Sequence, residues 1–157
     1  MESSDELVHP DAAVAPGYLA NHAARVFNRL IDAALRPDGM SLSLLGPILL
    51  LSWKGPMLQR DLVRASAVKQ PAMVALLDKL EAMKLIERSS APNDRRVAMV
   101  HLTSEGRAAA VLGGDVLIDT NRRGLKDFSD EEAGLLVGLL QRLITNLEQG
   151  DGTKYHE

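Results

Sequence analysis

The feature that most restricts this chain is a change of period near its middle. In QPAMVALLDKLEAM the residues Met73, Leu76, Leu77, Leu80 and Met83 recur at i, i+3, i+4, i+7 and i+10, one buried stripe of an α-helix. The next residues, LIERSSAPNDRRVAMVHLT, alternate instead. Ile86–Ser90 predicts a strand, Ala91-Pro92-Asn93-Asp94 a turn, and Val97–Leu102 a returning strand. Val97, Met99 and His101 would face one side of that strand, and Ala98, Val100 and Leu102 the other. A helix that runs directly into a two-stranded hairpin is a narrow choice of architecture. The hairpin also puts Asp94, Arg95 and Arg96 in a turn at its exposed tip.

The remainder reads as helical. Residues 1–15 form a mobile arm ended by Pro16 and Gly17. A first helix follows, with Leu19, Ala23, Val26, Phe27, Leu30 and Ala34 at helical spacing and Pro37 and Gly39 as its stop. Ser41 can cap a second helix, LSLLGPILLLSW, which Gly46-Pro47 weakens because proline lacks a backbone donor. After the turn Lys54-Gly55-Pro56, MLQRDLVRA (57–65) predicts a short third helix. The link SAV joins it to the striped fourth, where Pro71 is tolerated in the first turn. Thr103 is a good N-cap for a fifth helix reaching about Arg123, with Gly124 as its C-cap and Glu105 near its positive end. Gly113-Gly114 within it is either a kink or a site of close packing. Ser129 and Glu132 have capping-box spacing and open EEAGLLVGLLQRLITNLEQ, which is apolar nearly all round. A terminal helix of that kind predicts a dimer interface with the first helix; burial within one protomer is the alternative.

Composition removes several classes of function. At 157 residues one domain is expected, and with 3% aromatics its core must be Leu, Val, Ala and Met. With no cysteine, disulfides, thiol catalysis, cysteine-ligated zinc and thiol redox sensing are excluded. His9, His22, His101 and His156 lack metal-ligand spacing, so no metal is expected. The acids fall on caps and exposed faces and no phosphate loop is present, so the chain does not read as an enzyme and implies no cofactor. The acidic start lacks a signal-peptide pattern, and runs such as LLGPILLLSW are too short to span a bilayer. A cytoplasmic protein without a membrane partner is the expectation. The net charge is -3, but it is unevenly divided: residues 54–96 hold nine positive and five negative side chains, +4, leaving -7 elsewhere. A cationic middle on an acidic frame suits a polyanion partner, although a solvated face with a chance excess explains it too.

Two short helices on a tight link, followed by a hairpin, describe a winged helix-turn-helix. Its second helix can enter the major groove, and a basic hairpin tip can reach phosphates or the adjacent minor groove. The fold class is therefore mainly α with a small β-hairpin wing. Residues 40–103 would be the DNA-binding region, and 16–36 with 104–150 a helical dimerisation region.

The run from Asp61 to Ala109 resembles the MarR family of bacterial transcriptional regulators. The resemblance rests on Asp61-Leu62, Leu80-Glu81, Leu85-Ile86-Glu87-Arg88, Asp94-x-Arg96 and Leu102-Thr103-x-x-Gly106, in order and at family spacing. It implies a homodimer built from the first and last helices. It also implies inverted-repeat operator DNA as partner, and usually repression relieved by a small aromatic or phenolic ligand. A DNA-free interaction module of the same fold is the rival reading.

Where the family commonly presents Ser, Thr and Arg to DNA, this chain has Lys69-Gln70-Pro71-Ala72-Met73-Val74-Ala75. Gln70 would read an adenine edge and Val74 or Ala75 thymine methyls, with Pro71 in the same surface. Arg64, Lys69 and Lys79 would hold phosphates, and Arg88 would belong to the same DNA-binding surface. Arg95 and Arg96 would enter a narrow A/T-rich minor groove, with Asp94 structuring the wing, either as a partner of Arg96 or beside it. The effector, by the same resemblance, would meet Tyr18, Asn21, His22 and Arg25 on the first helix and Trp53 on the second. There Arg25 would pair with a carboxylate and Trp53 supply an aromatic wall, though Trp53 also reads as core.

Overall fold

The computed structural model describes residues 9–151. Among these residues seven α-helices, one 3-10 turn (Arg36–Asp38) and three strands follow one another. They are α1 (Pro10–Ala13), α2 (Pro16–Leu35), α3 (Leu42–Lys54), β1 (Met57–Leu58), α4 (Gln59–Ala65), α5 (Gln70–Ala82), β2 (Ile86–Ala91), β3 (Asp94–Leu102), α6 (Ser104–Gly124) and α7 (Asp130–Asp151). The arm expected over residues 1–15 is helical where it is described: Pro10–Ala13 form one turn, with His9 accepting from the Asp11 N–H. His156 lies outside the described residues.

Packing within the chain divides it into one compact unit ending at Thr120 and another beginning at Asn121. The first unit holds the core. Ile31 and Leu35 of α2, Leu44, Leu45, Ile48 and Leu51 of α3, Leu62 of α4, Met73, Leu77 and Leu80 of α5, Ile86 and Val100 of the sheet and Ala110 of α6 are all buried. The stripe predicted for α5 is thus the buried one. Of the apolar residues at helical spacing on the first helix, Val26, Phe27 and Leu30 are half-buried and Leu19, Ala23 and Ala34 exposed, while Ile31 and Leu35 anchor α2 in the core.

α3 continues through Pro47, which is buried. Pro47 deprives the Ser43 carbonyl of its i+4 donor, and Ser43 is exposed, so water can replace that bond. Gly46 before it has no Cβ to clash with the proline ring, the contact that usually keeps a pre-proline residue out of a helix. The Asp32 carboxylate accepts from the Leu42 N–H at 2.7 Å, and the Ser41 hydroxyl caps Leu44, so α2 is tied to the start of α3.

The hairpin is part of a three-stranded antiparallel sheet of order β1-β3-β2, a correction to the expected pair of strands. Met57 and Leu58, expected to open the third helix, pair with Val100 and Met99. That helix begins only at Gln59. β2 and β3 pair from Ile86↔Leu102 to Ser90↔Ala98, with an irregularity before Ala91↔Asp94. The turn is therefore Pro92-Asn93, and Asp94, Arg95 and Arg96 begin a strand rather than occupy the turn.

α6 runs unbroken across Gly113-Gly114. Close packing is the reason for Gly113: a Cβ there would lie 2.1 Å from Leu45 Cδ1. In the second unit, Ser129 and Glu132 form the predicted capping box, with bonds of 2.8 and 3.1 Å. Leu135, Leu136, Val137, Leu139, Leu140, Ile144 and Leu147 of α7 are all exposed.

Candidate nucleic-acid interface

α4, a four-residue turn and α5 form the helix-turn-helix. The turn is held by Ser66, whose hydroxyl donates to Val63 O at 3.3 Å and accepts from the Val68 N–H at 3.4 Å. Lys69, the N-cap residue before α5, makes no side-chain cap bond. Of its first turn, Gln70 and Ala72 retain backbone N–H groups without a partner in the helix, since Pro71 has none and the Met73 N–H bonds Lys69 O. Gln70, Pro71, Ala72 and Ala75 are exposed on this end and Val74 is half-buried. Lys69 and Lys79 are exposed as well, and Arg64 extends into solvent with Asp61 3.6 Å away.

The wing tip shows what Asp94-x-Arg96 does. Asp94 Oδ1 accepts from the backbone N–H of Arg96 at 2.9 Å and so closes the start of β3. The acid serves the backbone. Among the described residues, no carboxylate lies within ion-pair distance of the Arg95 or Arg96 guanidinium. The internal Arg96–Asp94 salt bridge considered above does not form. Ser90 adds a bond from its hydroxyl to Arg95 O at 3.4 Å. A groove of about 390 Å³ runs along this hairpin, between Ser89 and Ser90 on β2 and Arg95 and Arg96 on β3.

The base of the wing is fixed to the helices at Thr103. Its hydroxyl donates to Lys84 O at 2.7 Å and accepts from the Gly106 N–H at 2.9 Å, while its own N–H bonds Leu85 O at 3.1 Å. This one residue caps α6 and joins it to the loop after α5. Gly106 is required by the same contact, because a Cβ there would stand 2.0 Å from Leu85 O. Lys84 adopts φ 60, and the bonds Leu85 N–H to Leu80 O and Lys84 N–H to Glu81 O make a Schellman ending for α5.

Arg88, read as part of the DNA-binding surface, has its guanidinium turned back onto α5 and bonded to Glu81 and Asp78. These bonds, Glu81's first and then Asp78's, hold its pKa above the ordinary arginine value. Sequence shows the charge at position 88 but not the direction in which it points.

The expected effector residues are only partly brought together. Tyr18 and His22 stack edge to face at 5.9 Å, and the Asn21 amide donates to Gly17 O at 2.8 Å, while Arg25 is exposed. Trp53 is not core: it is 79% exposed, with Lys54 Nζ 5.1 Å from its ring. It borders an apolar cleft of about 560 Å³ between the outer face of α3 and the α4–α5 turn, with Leu42, Gly46, Leu50, Ala67, Val68 and Met73. None of the four α2 residues lines that cleft.

Residues 48–98 match the profile of the MarR family, a stretch that holds α4, α5 and most of the wing. Among solved structures, a probable transcriptional regulator from Pseudomonas aeruginosa is 27% identical, with a TM-score of 0.74 over 83% of this chain and 98% of its own. A MarR variant from E. coli complexed with operator DNA is 22% identical, with a TM-score of 0.75 over 87% and 99%. BpsR of Bordetella bronchiseptica, whose DNA binding is regulated by 6-hydroxynicotinic acid, is 23% identical, with a TM-score of 0.71 over 81% and 96%. No helix among the described residues is long and apolar enough to cross a membrane. The helix-turn-helix lies inside the matched stretch and the wing is built on Asp94, Thr103 and Gly106, so the chain has a winged helix-turn-helix fold whose residues 48–98 match the MarR family.

Proposed function

We propose that this protein is a cytoplasmic homodimeric repressor that binds inverted-repeat operator DNA and is released by a small aromatic or phenolic ligand. The wing tip is the observation that carries the DNA reading. Two arginines stand exposed with no carboxylate partner among the described residues, the nearby acid being bonded to backbone. Such cations suit a narrow minor groove. Gln70, at the uncapped start of α5, is placed for a base edge, Pro71, Val74 and Ala75 for apolar contacts, and Lys69, Lys79 and Arg64 for phosphates. The complex of the E. coli relative with operator DNA supports the same use of the fold.

The dimer reading rests on the apolar side chains of α7, together with Val111 and Ile118 of α6, all left exposed within one chain. The regulation reported for the Bordetella relative supports an aromatic effector, and the Trp53 cleft is an apolar site of suitable size. Trp53 is the only tryptophan, so its fluorescence reports directly on a ligand in that cleft.

Fluorescence anisotropy on DNA from beside the protein's own gene, against a scrambled duplex and across a salt series, tests the proposal. Selective binding that weakens steeply with salt is expected. Arg96→Ala should weaken it and relax the preference for A/T flanks. Gln70→Ala should relax one position per half-site by about 1–3 kcal/mol. Weak binding, equal on both duplexes, would remove the DNA-reading assignment and leave the interaction-module reading.

A further inference from the structure

Arg88 has a geometry that a phosphate ligand does not need. It sits near the start of β2, opposite Val100, which is fully buried, so the backbone beneath it is anchored. From there the side chain reaches back to α5. Nε donates to Glu81 Oε2 at 3.0 Å, and Nη2 donates to Asp78 Oδ1 and, at 3.5 Å, to Glu81 Oε1. The side chain is only 22% exposed, whereas those of Asp78 and Glu81 are 61% and 45% exposed. Asp78 and Glu81 are three residues apart, so they stand on one face of α5 and grip a single guanidinium from two sides. They are also the two acids of that helix.

We propose that Arg88 is a specificity-positioning residue: with Asp78 and Glu81 it locks the recognition helix to the wing, and it contacts no phosphate itself. The inference rests on the DNA-binding reading above. Selective binding by this fold requires α5 and the wing tip to meet two adjacent grooves at once, so the angle between them matters. The apolar contacts of Met73, Leu77 and Leu80 resist separation of α5 but are not directional. The fork of Arg88 is directional, because a planar guanidinium bonds its partners only in a fixed orientation. It also places a positive charge beside the two carboxylates that would otherwise repel DNA phosphates. Arg88 is largely covered but both carboxylates are well exposed, and ion pairs with solvated carboxylates contribute little to stability. The loss on breaking this one should therefore appear in selectivity rather than in the melting temperature.

The test is a mutant cycle on the duplex the parent prefers and on its scrambled control. Arg88→Gln removes the donor. Asp78→Ala/Glu81→Ala removes both acceptors and leaves Arg88 free. Each should lower the preference ratio by about tenfold, with the triple variant no worse than either, as coupled groups behave. Arg88→Lys should retain part of the ratio, and all melting temperatures should stay within about 2 °C of the parent. Arg88→Gln weakening both duplexes equally, with Asp78→Ala/Glu81→Ala as selective as the parent, would overturn the proposal and make Arg88 a phosphate ligand. Additive losses in the triple variant would overturn it as well. A parent without any preference would remove the DNA-binding reading and this inference with it; a selective parent with those outcomes would remove this inference alone.

Discussion

Gly106→Ala should destabilise the protein, although helix propensity alone predicts the opposite. Gly106 is the third residue of α6, where alanine is favoured over glycine by about 1 kcal/mol. A Cβ there, however, would stand 2.0 Å from Leu85 O, and ordinary contact begins at 3.4 Å, so the two must part by about 1.4 Å. Neither side yields easily. Leu85 O is bonded to the Thr103 N–H, and the Thr103 hydroxyl bonds Lys84 O, so moving the start of α6 breaks both bonds. The two bonds contribute about 1 kcal/mol each. Overpacking and backbone shift add roughly 1–3 kcal/mol. After the gain in propensity is subtracted, a net loss of about 2–4 kcal/mol remains, or a Tm lower by roughly 5–15 °C for a chain of this size. The assay is urea unfolding, with parent and variant at the same protein concentration. A variant as stable as the parent, or more stable, would refute the account of Leu102-Thr103-x-x-Gly106 as a contact that only glycine permits.

Two further predictions follow from single residues. Lys84 holds a left-handed conformation, φ 60, at the end of α5. Lys84→Gly should relieve about 1–2 kcal/mol of steric cost and lose roughly half of that to the greater freedom of the unfolded chain, for a net gain of about 0.5–1 kcal/mol in the same urea assay; a loss would refute it. The Glu105 carboxyl is held below its ordinary range by its own backbone N–H at the start of α6, then by the Ser104 hydroxyl and Thr103. A lowered carboxylate pKa means that its contribution to stability is complete above the ordinary glutamate value and is lost as pH falls through the lowered one. An NMR titration of that carboxyl should therefore give a midpoint below the usual glutamate value of about 4.3, and a midpoint at or above it would contradict the structure.

What was legible in the sequence depended on period. The buried stripe of α5 and the alternation of β2 and β3 repeat often enough to identify themselves, and the Ser129–Glu132 capping box is a local pattern that forms as read. β1 was not legible, because two residues carry no period. Met57 and Leu58 become a strand only through Val100 and Met99, more than forty positions away. α3 hid its orientation for a different reason. Residues 42–53 are so uniformly apolar that no polar face marks the outside. Trp53 therefore read equally as an aromatic wall or as core, and it shares the outer side with Leu42, Gly46 and Leu50, while Leu44, Leu45, Ile48 and Leu51 turn inward.

At the interface the sequence supplied the charges but not the direction in which each one points. Arg88 and Arg96 both lie in the basic middle of the chain, eight residues apart on one hairpin, and charge alone assigns them the same role. Their neighbours separate them. Asp94 can reach the Arg96 backbone N–H, because an acid two residues ahead of an amide can close a local turn, and that bond leaves the Arg96 side chain without an acidic partner. Asp78 and Glu81 lie ten and seven residues before Arg88, too far for a local pattern to reveal, and they meet it only because α5 and β2 fold against each other. Acidic residues near a basic patch thus act in two opposite ways here. Asp94 leaves a cation exposed, whereas Asp78 and Glu81 draw one into bonds within the chain. A count of net charge registers both as neutralisation, which explains why an acidic chain can still present a basic wing tip.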